Sequence, residues 1–137
     1  MLIERKCTLI KNNNVKSTFF TLGWVAQRCP DVIKRIVNEG HELASHGLAH
    51  QRATTMSEEE FREDVRQSKD ILENIGGVAL KGYRAPSFSI NDSNTWAYDV
   101  LKELGFTYSS STYPINHDLY GVPEWPRFKY ERENGLI

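Results

Sequence analysis

Residues 41–50 read HELASHGLAH. HELAS has the length and composition of a short strand. His46 falls just past its end, where Gly47 permits a tight turn. The same rhythm recurs along the chain. Residues 15–22, VKSTFFTL, are β-branched and aromatic and predict a buried strand. Residues 31–39 put Val32, Ile33, Ile36 and Val37 on one helical face, with Gly40 as the stop. Ser57 and Glu60 have the spacing of a capping box, which opens a helix striped by Phe61, Val65, Ser68, Leu72 and Ile75 and closed by Gly76-Gly77. Residues 78–84, VALKGYR, predict a third strand. Residues 91–104 predict a helix with Trp96, Ala97, Val100, Leu101 and Leu104 inward, and residues 106–112, FTYSSST, a fourth strand. Leu2, Ile3, Leu9 and Ile10 fit an amphipathic helix at the start, and residues 113–137, with three prolines, read as loop.

Strands alternating with helices mean βαβ units and a parallel sheet, with right-handed crossovers. Such a sheet is covered on both faces or closes into a barrel, and its ligands gather at the carboxyl ends of the strands. His46 lies on that rim. The chain has 137 residues, 39% hydrophobic and 26% charged, enough for one domain spanning residues 1–137. A net charge of −1 argues against nucleic acid as a partner, and no apolar run approaches a membrane span. Glu4, Arg5 and Lys6 interrupt any apolar leader within these residues, but we expect the natural start to lie upstream of Met1, so the compartment stays open with cytoplasm only as the default. Cys7 and Cys29 lack C-x-x-C spacing and read as reduced thiols.

Three histidines compete for a metal. His41-Glu42 begins like H-E-x-x-H, but the next histidine comes one residue too late. Positions five apart share neither a helix face nor a strand face, so His41 reads as an ordinary strand-start residue. His46 and His50 are four apart, and one helical turn after Gly47 would aim both imidazoles the same way. Arg84, in YRAPSF at the end of the third strand, sits on the same rim, where a guanidinium can hold a carboxylate or a substrate oxygen.

With these motifs in view, the sequence resembles the polysaccharide deacetylases of the NodB type, carbohydrate esterase family four, and in particular the branch from bacterial exopolysaccharide gene clusters. The resemblance is carried by TFFTLGWVA at 18–26, GHELASHGLAH at 40–50, GYRAPSFSI at 82–90 and YSSSTYP at 108–114. It implies an α/β fold, here a partial (β/α) barrel of about four parallel strands with flanking helices. It implies a divalent cation, zinc in most of the family, held by His46, His50 and an aspartate. The cation would activate a water against the N-acetyl group of a hexosamine in a polysaccharide. Arg84 would orient the general base, the Ser87 N–H would face the oxyanion, and Pro86 and Phe88 would contact substrate.

The resemblance also marks what is missing. The family's acidic first-strand motif, source of the base and the third ligand, has no counterpart here, nor does its late leucine-histidine pair. Ser109 stands where the related branch commonly has an aspartate. Glu42 shares a strand face with His46 but lies about 13 Å along it. Asp92, Asp118 and His117 remain open as substitutes. We therefore expect an internal fragment of a longer deacetylase, with exposed strand edges and no activity of its own. The alternative is a carbohydrate-binding or scaffold domain that kept the fold without the catalysis. A stand-alone metal sensor would need a third ligand within residues 1–137. Tyr120, Trp125 and Phe128 read either as packing or as surfaces for sugar rings.

Overall fold

The computed structural model describes residues 5, 8–10, 12–118 and 120–137. Four strands form one parallel sheet in the order β1-β2-β3-β4: β1 Thr18–Thr21, β2 Glu42–Ser45, β3 Gly82–Tyr83 and β4 Tyr108–Ser109. Each strand neighbours the next in sequence. With right-handed crossovers, that order puts every connecting helix on the same face of the sheet. This is the arrangement of a barrel wall, as the family resemblance implied, rather than of a doubly wound sheet, the other arrangement the strand–helix pattern left open.

The helices are α1 Gly23–Arg28, α2 Pro30–Asn38, α3 Glu58–Gly76 and α4 Ala97–Glu103. The capping box of α3 forms as expected, with Ser57 Oγ accepting from the Glu60 N–H and the Glu60 carboxylate accepting from the Ser57 N–H. Gly77 closes the helix in the left-handed conformation, φ 68°. The predicted stripe is the buried one: Phe61, Val65, Ser68 and Leu72 face the sheet. Phe61 meets Tyr83 of β3 edge-on, with ring centroids 5.8 Å apart. Phe19 and Leu43 pack on this same helix-covered side.

Three expectations are corrected. A six-residue helix, α1, follows β1, where the sequence suggested none. Residues 78–81 are not strand, and the Leu80 N–H is taken by the Glu73 carboxylate instead. Residues 91–94 do not begin α4, because their asparagines satisfy the local backbone: Asn94 Oδ1 accepts from the Asn91 N–H and Asn91 Oδ1 from the Ser93 N–H. Leu9 is helical, as expected, but 64% exposed; Leu2, Ile3 and Cys7 lie outside the described residues.

The other sheet face carries a polar layer. Thr18 Oγ1 and the Tyr108 hydroxyl both donate to Glu42, at 2.6 and 2.8 Å, linking β1, β2 and β4 across Gly82. Burial first, and then the Glu42 carboxylate, push the Tyr108 hydroxyl pKa upward. A Cβ on Gly82 would stand 2.1 Å from the Tyr108 ring. Gly82→Ala should therefore displace that ring and cost about 1–3 kcal/mol by overpacking, measured as a lowered urea midpoint at unchanged slope. An unchanged midpoint would show that the layer tolerates a methyl group there.

Among the described residues the β1 side of the sheet carries no further strand. β1 pairs with β2 alone. Next to it runs a cavity of about 470 Å³, from Thr18 past Val25 and Ile33 to His46 and Arg84. On the far side Ile137 makes two backbone bonds, accepting from Ser109 of β4 and donating to Thr107 just before it. A second cavity of about 490 Å³ lies there.

Candidate functional site

The chain leaves β2 at Ser45, and the next three residues are pinned from several directions. The His46 N–H completes the β1 ladder on the Thr21 carbonyl, at 2.9 Å. Gly47 adopts φ 81°, and its carbonyl accepts from both the Gly23 N–H, at 3.0 Å, and the Ser68 hydroxyl, at 2.9 Å. The Leu48 N–H donates to Asp64 Oδ2 at 3.0 Å, and the Leu48 carbonyl accepts from the Trp24 N–H at 3.1 Å. Helices α1 and α3 therefore hold the turn by its backbone. The turn is not helical, contrary to expectation: His50 returns instead through a left-handed residue, φ 63°.

The outcome is nonetheless the convergence that the spacing suggested. The His46 and His50 rings sit edge to face with centroids 5.1 Å apart. Two imidazoles sharing one tetrahedral ion, with metal–nitrogen bonds of about 2.0–2.1 Å, hold their centroids about 5 Å apart. His46 Nδ1 lies 2.7 Å from the Arg84 carbonyl oxygen. A carbonyl only accepts, so Nδ1 carries the proton and Nε2 keeps its lone pair, the tautomer a metal-ligating histidine needs. The donor set therefore suits a divalent cation.

Arg84 contributes more than its carbonyl. Its guanidinium donates to the Ser110 carbonyl, at 3.1 Å, and to the Ser110 hydroxyl, at 2.6 Å. It lies 4.1 Å above the Phe20 ring and 5.8 Å from the Phe88 ring. Among the described residues it has no carboxylate partner. Pro86 is buried, and Ser87 and Phe88 are both left-handed, φ 55° and 48°. Non-glycine residues in that region cost on the order of 1–3 kcal/mol each and gather at functional sites. Here they flank the arginine. Ser89 ties the segment down, accepting from the Ala53 N–H and donating to the Pro86 carbonyl.

The candidate substitutes for the third ligand do not join the pair. Among the described residues, no three of the histidine, cysteine, aspartate and glutamate side chains gather as a metal group. Glu42 is engaged in the polar layer, and Asp92 accepts the Trp125 indole N–H at 2.9 Å. His117 stacks on Tyr120 at 3.9 Å. His41 is buried on the helix side against Phe19 and takes no part in the pair. Of the loop aromatics, Tyr120 joins Tyr113 and Phe88 in a cluster, and Trp125 packs near Tyr98. Phe128 stands 87% exposed. The cavity beside β4 touches this site only through Ser110.

The structure thus brings a histidine pair and an arginine together on the carboxyl rim of a parallel barrel wall. The family model for polysaccharide deacetylases matches residues 2–109, and the chain belongs to that family. A peptidoglycan-N-acetylglucosamine deacetylase from Bacillus cereus is 37% identical over 89 residues, 64% of this chain and 32% of its own length. A crystal structure from Mycobacterium smegmatis, carrying the same family description, superposes with a TM-score of 0.75 at 33% identity, over 81% of this chain and 38% of that one. A carbohydrate esterase family 4 pseudoenzyme from Bacillus anthracis shares the fold, with a TM-score of 0.70 at 22% identity, over 76% and 36% of the two chains. The chain spans roughly a third to under half of the length of the first curated relatives it matches, from 32% to 45%.

Burial lowers the His46 pKa from the ordinary 6.5. The bond to the Arg84 carbonyl opposes that shift, and the nearby His50 and Arg84 charges reinforce burial. The neutral, ligand-competent ring is thereby favoured at pH 7. In the metal-free protein, an NMR titration of the His46 ring should show a midpoint below 6.5; a midpoint at or above it would contradict the burial seen here.

Proposed function

We propose that this chain supplies the histidine pair and the arginine of a metal-dependent hydrolase that removes N-acetyl groups from hexosamine units of a polysaccharide. The observation that carries the reading is the His46–Arg84 contact. One hydrogen bond sets the tautomer of a ligand-capable imidazole and ties it to the arginine of the next strand. His46 and His50 would hold the cation, and two imidazoles in an oxygen- and nitrogen-rich site suit zinc. When bound, the cation polarises an amide carbonyl and lowers the pKa of water.

The remaining roles belong to the chain's own groups. The Arg84 guanidinium, fixed by Ser110 and by the face of Phe20, presents a positive charge beside His46. That charge would orient a carboxylate base. The Ser87 N–H, held in its left-handed turn, would donate to the oxygen that gains charge as the acetamide is attacked. Phe88 and Pro86 would form the wall against the acetyl group and the sugar ring. N-acetylated polymers, exopolysaccharide or peptidoglycan, are the substrate class.

A second reading, a carbohydrate-binding domain without catalysis, is favoured by one observation. Among the described residues no third histidine, cysteine, aspartate or glutamate gathers with the histidine pair. Zinc binding and acetate release from N-acetylglucosamine oligomers separate the two. Residues 1–137 should bind zinc weakly, lose that binding on His46→Ala or His50→Ala, and release no acetate with zinc added. Robust turnover would show that these residues suffice for catalysis. Oligosaccharide binding that ignores zinc and survives both substitutions would favour the second reading.

A further inference from the structure

The two histidines are joined by a stretch with no regular structure, so something other than a helix or strand must fix their convergence. Most of the bonds at Gly47 and Leu48 come from groups with an obvious second duty. Gly23 and Trp24 donate the N–H groups that any helix start leaves over, and Ser68 belongs to the buried stripe of α3. Asp64 differs. It lies on α3 sixteen residues from Leu48, half-buried, and its Oδ2 accepts the Leu48 N–H at 3.0 Å. It makes no ion pair among the described residues, although glutamates and arginines crowd the exposed side of the same helix. A carboxylate drawn partly out of water without a cationic partner is a net cost to the helix. Burial accordingly raises its pKa, against the smaller effect of the Leu48 bond.

The approach is also close. A Cβ on Gly47 would stand 3.0 Å from Asp64 Oδ2, so the glycine lets the carboxylate reach the turn. We propose that Asp64 is a positioning residue of the metal centre: by accepting the Leu48 N–H it fixes the backbone between His46 and His50, so that the two imidazoles meet at one ion. The inference rests on the metal-dependent reading above and assigns to α3 a role in it that the motif residues do not include. Asp64 acts through the backbone and touches neither ion nor substrate.

Zinc titration calorimetry, the visible spectrum of the cobalt(II) form and hydrogen exchange at the Leu48 amide test it in wild type, Asp64→Ala and Asp64→Asn. Outer partners of metal ligands typically contribute about 10–100-fold in affinity. Asp64→Ala should lose zinc affinity by that order and alter the cobalt spectrum. Its Leu48 amide should lose protection while the α3 amides keep theirs. Asp64→Asn keeps an acceptor and should stay close to wild type. Equal zinc affinity in wild type and Asp64→Ala, or unchanged Leu48 protection, overturns the inference alone. An asparagine variant as weak as the alanine variant overturns the hydrogen-bond role in favour of charge. A wild-type chain that takes up no zinc overturns the metal reading and this inference with it. Should Asp64→Ala not fold, Asp64→Glu serves, since it keeps the charge and moves the acceptor: wild-type affinity in that variant overturns the positioning role.

Discussion

The structure turns on how the chain is held at Gly47 and Leu48, just beyond the end of β2. Four backbone groups there are claimed by the start of α1, by two side chains of α3 and by Ser45. Backbone polar groups away from water must be paired, and a loop is normally placed at the surface because it cannot pair them. Here the loop is drawn inward and satisfied group by group. A glycine carbonyl with two donors and φ 81° leaves little freedom to the next residues. Ala49 leads on to His50, whose own left-handed backbone turns its ring back toward His46. The metal-capable pair is thus a consequence of helix packing as much as of histidine spacing.

The sheet divides the labour between its faces. Phe19, Leu43 and Tyr83 meet the helices and carry the apolar burial. The alternate residues, Thr18, Glu42, Gly82 and Tyr108, make a polar layer lower in the wall, and Arg84 and His46 lie further toward the rim. A two-residue period therefore places structural polarity and candidate chemistry on one face, at different depths. The strained residues collect at the rim as well: His50, Ser87 and Phe88 are three of the four non-glycine residues with positive φ among the described residues. Strain of that kind persists only where surrounding contacts over-determine the backbone. The Ser89 bonds and the stacking of Phe88 on Tyr113, 4.6 Å between centroids, supply those contacts.

Much of this is legible in the sequence, for reasons that can be named. The stripe of α3, its capping box and its glycine stop are local signals, and each appears where the local pattern puts it. The four strands stand out as apolar runs between turn residues, although β3 and β4 reduce to two residues each. Pattern fails where other hydrogen bonds override it. The Asn91 and Asn94 side chains accept from the Ser93 and Asn91 N–H groups, which the periodicity assigns to a helix. The H-G-L-A-H stretch converges without the helical turn that its spacing invokes. Ser110, Phe20, Tyr113 and Asp64 escape a sequence reading of the site, because nothing in a single sequence says which distant serine a guanidinium will find. Asp64 does leave one signal: an acidic residue one place before the apolar stripe position Val65, at the edge of the buried face.

Arg84 shows why the site depends on residue type as well as on charge. Its N–H pairs with the Ser45 carbonyl in the β2–β3 ladder, its carbonyl receives the His46 ring, and its side chain reaches Ser110 beyond β4. One residue thus ties three consecutive strand ends together. The side-chain part of that tie needs two donors in a fixed plane and a flat cation that can lie over Phe20. A lysine would keep the charge, but it offers a single strongly hydrated ammonium in place of the fork, and no planar face for the ring. The histidine contact uses only the backbone and would survive such a change. The positive charge would lose its anchor on β4, so the rim would keep its imidazole tautomer and lose the fixed guanidinium beside it. The two halves of the candidate site are therefore joined by one backbone but separable by chemistry.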